Sequence, residues 1–270
     1  MRDSGCEQLQ QITLEILRYF DHYAKEHGLT YYMAGGTLLG AVRHQGFIPW
    51  DDDIDLMMPR PDYERLFSIY DNQNKEYILM SCESDPDYKN PYARLSDPRN
   101  VLHYRDGTVK DTGVFIDIFP IDGYPANALS AKLHQYRLAV RRKKMDFKRA
   151  RSSASRIKEV SKSIARLFLR RSVNEYCRQL NRLAKKYSYA ESSYAGVAVT
   201  SLAHLFRERN EKKVYSETVF LPFEDLRLPA PAGYDTYLRK LYGDYMQLPP
   251  ENQRVTQHDY ILFTSRNDRF

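Results

Sequence analysis

The chain has 270 residues, 42% of them hydrophobic and 28% charged, enough to bury a sizeable core, and a formal net charge of +6. No apolar run approaches the roughly 18 residues that span a bilayer, and no basic stretch followed by an apolar one opens the chain, so a membrane span and a secretory signal are excluded as evident features and the cytoplasm is the expected compartment. Cys6, Cys82 and Cys177 stand singly, which supports neither a disulfide framework nor a zinc knuckle and reads as three small apolar residues.

Leu9, Ile12, Ile16, Leu17, Phe20, Tyr23 and Ala24 recur at helical spacing and Gly28 follows them, which predicts an amphipathic helix from about Glu7 to His27. The next stretch, YYMAGGTLLGAVRHQGFIPWDDDIDLMMP from Tyr31 to Pro59, carries the chemistry. Apolar runs at Tyr31 to Ala34 and Ile54 to Met58 flank a glycine pair and a short helical pattern, predicting strand, turn, helix, loop and strand. If Asp53 to Leu56 is extended, Asp53 and Asp55 share one face while Ile54 and Leu56 point into the core. Two carboxylates so placed repel unless a cation or protons neutralise them, and oxygen-only ligation favours Mg²⁺ or Mn²⁺. Gly35 and Gly36 let the backbone approach a ligand closely, and Thr37 is placed to cap a helix through about His44, leaving N–H groups aimed at an anion. Alone, Gly-Gly is often a turn and an acidic run a solvated loop; together they suggest diphosphate and metal in one cleft.

A strand ending in Gly-Gly, then a helix, then a strand bearing Asp-x-Asp is the core pattern of the nucleotidyltransferase superfamily. The longer string GGTLLGAVRHQGFIPWDDDIDL resembles the signature of the LicD family of bacterial phosphocholine transferases, which has relatives that transfer polyol phosphates.

After the motif, Pro61 opens a short helix in PDYERLFSIY, and Tyr77 to Cys82, Tyr92 to Leu95 and Val101 to Tyr104 read as short strands between Asp, Pro and Asn. GVFIDIFPIDG, from Gly113 to Gly123, is apolar on both faces and predicts a central strand interrupted by one acid, Asp117. A lone carboxylate there needs a partner: either backbone or Arg94 satisfies it, or it is a third metal ligand or base. Asp122, beyond Pro120, reads as a turn residue.

From Asn127 to about Tyr187 the pattern turns helical and basic. Leu133, Tyr136, Leu138 and Val140 suit one helix; Ile157, Val160, Ile164, Leu167, Phe168 and Val173 suit a second, and Ser152, Ser153 and Ser155 mark a break between them. Between Leu129 and Ala190 19 Lys and Arg stand against Asp146, Glu159 and Glu175, a net +16 that leaves −10 for the rest. Such a segment is either a helical insertion with a solvated face or a surface for an anionic membrane or polyphosphate; without a recognition-module signature, nucleic acid is not expected. Near the end, Glu217 to Leu228 reads as strands and turns, Asp235 is placed to cap a helix ending near Tyr242, and Gly243 stops it. The string YGDYMQLPP, with Arg254 and His258 downstream, resembles the C-terminal signature of the LicD family. Read from chemistry alone, Arg254 suits phosphate, and His258 is a ligand, an acid/base or an ordinary surface residue.

The resemblance covers about Leu9 to Tyr124 and Thr218 to Tyr260. It implies a nucleotidyltransferase-like α+β fold, a small mixed sheet flanked by helices with a basic helical insertion: residues 1–125 as catalytic core, 126–195 as insertion, 196–270 completing the catalytic domain. It also implies a metal-dependent enzyme that moves phosphocholine from CDP-choline to a sugar hydroxyl of a teichoic-acid or lipopolysaccharide glycan, releasing CMP. In that expectation Asp53, Asp55 and Asp117 hold Mg²⁺ or Mn²⁺ and act in catalysis, while Gly35, Gly36, Thr37, Arg43, Arg254 and His258 bind substrate. Trp50 is either packing or one wall of an aromatic cage for choline. The expected partners are CDP-choline, a lipid-linked glycan acceptor and an anionic membrane met through the basic insertion, with the protein peripheral at the inner face of the cell membrane. Other readings stay open: an NTP or CDP-polyol donor, phosphodiester hydrolysis, or a basic adaptor that uses its acidic cluster only structurally.

Overall fold

The computed structural model describes residues 4–73, 75–104, 112–149, 171–256 and 260–264. Helix α1 (Ser4–Glu26) buries Leu9, Ile16, Leu17, Phe20, Tyr23 and Ala24 along the stripe that the sequence predicts. It lies on a sheet whose strands run β1 (Tyr32–Met33), β2 (Asp55–Pro59), β5 (Thr112–Tyr124), β4 (Ala93–Tyr104) and β10 (Tyr260–Thr264) in spatial order. β2 and β5 are parallel and the other pairs along this path antiparallel, so the molecule is α+β with a mixed sheet, as expected. The remaining strands sit at the margins: β3 (Ile78–Met80) pairs with β4, β6 (Tyr194–Gly196) with β5, and β7 (Asn210–Glu211) with β6. A separate hairpin, β8 (Thr218–Phe223) and β9 (Leu226–Pro231), packs beside β1 and α2 (Gly35–His44).

The central position of β5 explains its run of apolar residues. Val114, Ile116 and Ile118 are fully buried on one face, while Phe115, Asp117 and Phe119 on the other are only part-buried, because that face borders a cavity. Beyond Pro120 the strand continues, and here the turn assigned to Asp122 is corrected. Asp122 is 1% exposed and takes a bidentate pair from Arg60, the first residue of α3 (Arg60–Ile69), with both contacts at 2.7 Å. A buried carboxylate needs such a partner. The two short strands expected at Tyr92 to Leu95 and Val101 to Tyr104 are one irregular strand, β4, whose register shifts between Asp97 and Val101. Asp97 holds the irregularity by accepting from the Arg99 and Asn100 side chains and the Arg99 backbone N–H, and Pro98 has no N–H to lend a ladder there.

Helix α4 (Ala128–Arg149) starts at Asn127, whose Oδ1 accepts the Ser130 N–H. It buries Ala131, His134, Gln135, Leu138, Ala139 and Met145, so Leu138 faces inward as expected, but Leu133 and Tyr136 are exposed on the opposite face. The serine break and the stripe from Ile157 to Phe168 lie outside the described residues. Val173 is not the end of that stripe: Ser172 caps a new helix, α5 (Val173–Ala184), through a reciprocal pair with Glu175 in which Ser172 Oγ accepts the Glu175 N–H and Glu175 Oε2 accepts the Ser172 N–H. α5 packs on α4, and Asn174 donates to the carbonyls of Cys82 and Tyr88, fastening the pair to the loop after β3. Among the described residues no helix is long and apolar enough to cross a membrane.

Helix α6 (Tyr234–Tyr242) is preceded by Gly233, not capped by Asp235. Asp235 sits in the first turn, where it pairs with Arg239 and accepts the Tyr245 hydroxyl at 2.7 Å. Gly243 ends the helix at φ 74°, in the region that favours glycine.

Candidate active site

The acidic strip is held from three sides. The Asp55 backbone N–H donates to Thr37 Oγ1 at 2.8 Å, and its carbonyl accepts the Ala34 N–H at 2.9 Å. Ala34, rather than Thr37, precedes the first turn of α2, so Thr37 is no cap; its hydroxyl ties the helix to β2. Gln10 of α1 donates to the Asp51 carbonyl at 2.7 Å, and Thr256 to Asp52 Oδ2 at 2.9 Å. Gln10 is 7% exposed on the inward face of this amphipathic helix, where its amide meets the Asp51 carbonyl, while Thr13, 1% exposed, donates to carbonyls of its own helix.

Gly35 and Gly36 serve the carboxylates directly. Gly35 has φ 49°, and a Cβ there would come within 3.1 Å of Asp55 Oδ2; one on Gly36 would come within 2.6 Å of Asp51 Oδ2. The missing side chains are what let both acids press against the N-terminus of α2, whose positive end favours them. Gly36→Ala should therefore displace Asp51 and destabilise the fold by about 1–3 kcal/mol through overpacking. Chemical denaturation reads this, and a change below about 0.5 kcal/mol would mean the contact relaxes freely.

Asp55 and Asp117 are register partners on the parallel strands β2 and β5. Burial, then the Asp53, Asp117 and Asp51 carboxylates, hold the Asp55 carboxyl well above the usual carboxylate range, with Arg94 opposing them. Arg94 Nε donates to Asp117 Oδ1 at 2.7 Å and Nη2 to Oδ2 at 3.5 Å, while the guanidinium lies 3.5 Å from the centre of the Phe115 ring. The Arg94 partnership weighed for Asp117 in the sequence is thus present. Among the described residues no three His, Cys, Asp or Glu side chains converge as a metal cage.

Three cavities border this strip, the smallest of them, about 80 Å³, between Gly35, Asp55 and Glu208. The two larger ones differ in their walls. One of about 250 Å³ is walled by Asp52, Asp53, Asp55, Asp117 and Arg94 with Tyr92, Phe115 and Phe119. The other, about 560 Å³, is bordered by Gly36, Arg43, Trp50 and Asp51 from the motif and by Tyr242, Asp244, Tyr245 and Gln253 from the tail. Arg43 donates to the Tyr245 carbonyl at 2.9 Å, and burial, then the Arg254 charge, lower its pKa, a tension that an anion would relieve. Arg254 donates to the Pro249 carbonyl at 2.9 Å and its guanidinium lies 5.9 Å from the Trp50 ring centre. The structure so brings Asp53, Asp55, Asp117, Gly35, Gly36, Thr37, Arg43, Trp50 and Arg254 to one region; His258 lies outside the described residues. Tyr92 and Phe119 were not foreseen as cavity walls, since nothing in an aromatic-rich sequence separates a cavity wall from core; Tyr242 and Tyr245 belong to the YGDYMQLPP string, which did not say what they line.

Residues 28–152 match the family described as LicD/FKTN/FKRP, nucleotidyltransferase domain. Over 269 residues the chain is 29% identical to the lipopolysaccharide cholinephosphotransferase LicD of Haemophilus influenzae, covering 97% of this chain and 100% of that protein. A 42-residue stretch is 48% identical to the ribitol 5-phosphate transferase FKRP of human and mouse, 16% of this chain and 8% of theirs. Residues 28–152, which hold the Gly-Gly and Asp-x-Asp elements, are thus similar to a LicD-family nucleotidyltransferase domain, and nearly the whole chain is similar to one LicD protein.

Proposed function

We propose that this protein is a transferase that moves phosphocholine from CDP-choline to a hydroxyl of a cell-envelope glycan of lipopolysaccharide or teichoic-acid type, releasing CMP in a metal-dependent reaction. The observation that carries the chemistry is the packing of Asp51 and Asp55 against Gly36 and Gly35, which sets an acidic strip and a helix N-terminus at one point bordered by the two larger cavities. The choline is supported by the full-length similarity to a cholinephosphotransferase. In this reading residues 1–125 and 196–270 form the catalytic unit and 126–195 the basic insertion.

The donor set suits a hard divalent cation. Mg²⁺ is bound by one or two carboxylates and completed by substrate phosphates and water, so Asp53 and Asp55 suffice as a mount without a third converging side chain, and Asp117 stands beside them. When bound, Mg²⁺ or Mn²⁺ supplies charge neutralisation to the donor diphosphate and to the departing CMP. Arg94 orients Asp117 through its two hydrogen bonds. Asp117 then accepts the proton of the attacking hydroxyl at Oδ2, the oxygen that Arg94 holds less closely. Arg43 in the larger cavity and Arg254 beside Trp50 bind phosphate oxygens, Gly35 and Gly36 leave the room in which the carboxylates and the donor meet, and Thr37 fixes the strand that carries Asp55. His258 is retained as a substrate-binding candidate.

Trp50 takes the trimethylammonium group in that same cavity. A guanidinium already lies over its ring, which marks that face as a seat for a cation, and Tyr242, Tyr245 and Asp244 complete an aromatic and acidic surround. Trp50→Ala should weaken CDP-choline more than CDP by roughly 0.5–2 kcal/mol. Calorimetry with the two ligands checks this; equal weakening assigns Trp50 to packing.

The reaction itself is tested by incubating protein, Mg²⁺ and labelled CDP-choline with and without lipid-linked glycan. CMP release that depends on the acceptor is expected. Release without acceptor would identify a hydrolase instead.

A further inference from the structure

We propose that the outward face of α4 docks the protein onto an anionic phospholipid bilayer, with Leu129, Leu133 and Tyr136 entering the interface and the surrounding lysines and arginines meeting lipid phosphates. Leu129, Leu133 and Tyr136 are 77%, 48% and 63% exposed. Their spacing of four and three residues sets them in one stripe about 10 Å long on the helix surface. The opposite stripe, from Ala131 to Met145, is the one that packs on the protein, so the exposed side chains do not belong to the core.

Single exposed leucines are ordinary. Here three share a stripe, and every charged residue from 126 to 145 has the same sign. Lys132, Arg137, Lys143 and Lys144 are exposed along the helix, and no Asp or Glu occurs from residue 126 to residue 145. A protein partner's surface mixes signs and its interface is depleted of lysine, whereas an apolar stripe bordered only by cations is the composition of a helix lying in a lipid headgroup region. The platform is also rigid. Arg142 pairs with Asp146 and donates to the carbonyls of Val199 and Thr200, and Gln135 donates to that of Leu205, so the stripe is held in its exposed position without folding on contact.

Such docking would bring the protein to the surface that carries a lipid-linked acceptor. The surface rests on the proposed reaction for its purpose only, and its test does not require turnover. The full-length chain is floated with phosphatidylcholine vesicles containing phosphatidylglycerol and with pure phosphatidylcholine. Binding to the anionic vesicles alone is expected, falling steeply with salt. Reversal of Lys132, Arg137 and Lys144 to Glu together should weaken it by about a hundredfold. Leu129→Ser, Leu133→Ser and Tyr136→Ser together should weaken it at least about tenfold, with the melting temperature unchanged. A parent that does not float, or a serine variant that floats as well as the parent, overturns the proposal. So does a parent that is dimeric by light scattering and becomes monomeric with the three serines, because the occupant is then a second copy. Turnover of CDP-choline with a short soluble acceptor, measured alongside, reports separately on the reaction: flotation without turnover defeats the transferase reading and leaves the docking face standing.

Discussion

Asp55→Asn should lower turnover by about 10²-fold or more and at the same time raise the melting temperature of the metal-free protein. The loss follows if Asp55 shares the divalent cation with Asp53, since the amide keeps the shape and removes the charge. The gain follows from where Asp55 sits. Burial and three neighbouring carboxylates raise its pKa in the folded chain above the unfolded value. The native state therefore binds that proton more tightly, and the stability this contributes is present at acid pH and lost as pH rises from the ordinary carboxylate range through the folded-state value. Asparagine carries no charge to repel, so the variant's advantage should be clear at pH 7 and vanish near pH 4. Mn²⁺ should raise the melting temperature of the parent and leave that of the variant unmoved. A variant that retained turnover within tenfold, or that answered Mn²⁺ as the parent does, would remove Asp55 from the metal site.

Arg60→Met is expected to destabilise the protein by about 3–5 kcal/mol, the range for stranding one partner of a buried ion pair. Asp122 is 1% exposed, and in the variant no guanidinium would answer either of its oxygens. The pair also reaches Asn181 of α5 at 3.4 Å, so one bidentate contact joins α3, the end of β5 and α5. Adding Asp122→Leu to the same chain should recover most of the loss, because an apolar pair of suitable volume replaces a buried ion pair with little penalty. Urea denaturation of the single and double variants decides it. A single variant within 1 kcal/mol of the parent would show that water or another group reaches Asp122.

What the sequence made legible was local. Asp53 and Asp55 stood out as charges beside the inward-facing Ile54 and Leu56, and Asp117 because it interrupts a run that is apolar on both faces. The roles of the glycines were harder to read. Gly35 and Gly36 suggest close approach by a ligand, whereas the atoms that approach them are Asp55 and Asp51, about 15 to 20 positions along the chain. Asp122 looked like a turn residue because its partner, Arg60, lies 62 residues away, and an ion pair of that separation leaves no periodic trace. Leu133 and Tyr136 suit the same helix as Leu138, yet they face away from the protein while Leu138 faces in. Spacing assigns residues to a stripe, but only packing decides which stripe faces inward. The Ser172 to Glu175 capping box, by contrast, was present in the sequence as Ser-x-x-Glu and marks the start of α5 within a segment whose charge dominated its reading.

If these carboxylates direct phosphocholine transfer, mass spectrometry will show it in a lipid-linked glycan incubated with the protein, Mg²⁺ and one donor at a time: CDP-choline, CDP-ribitol or CTP. The parent should add one phosphocholine from CDP-choline, and Asp55→Asn none. A glycan that gains a nucleotide from CTP, gains ribitol phosphate in preference to phosphocholine, or gains phosphocholine equally in parent and variant would contradict this.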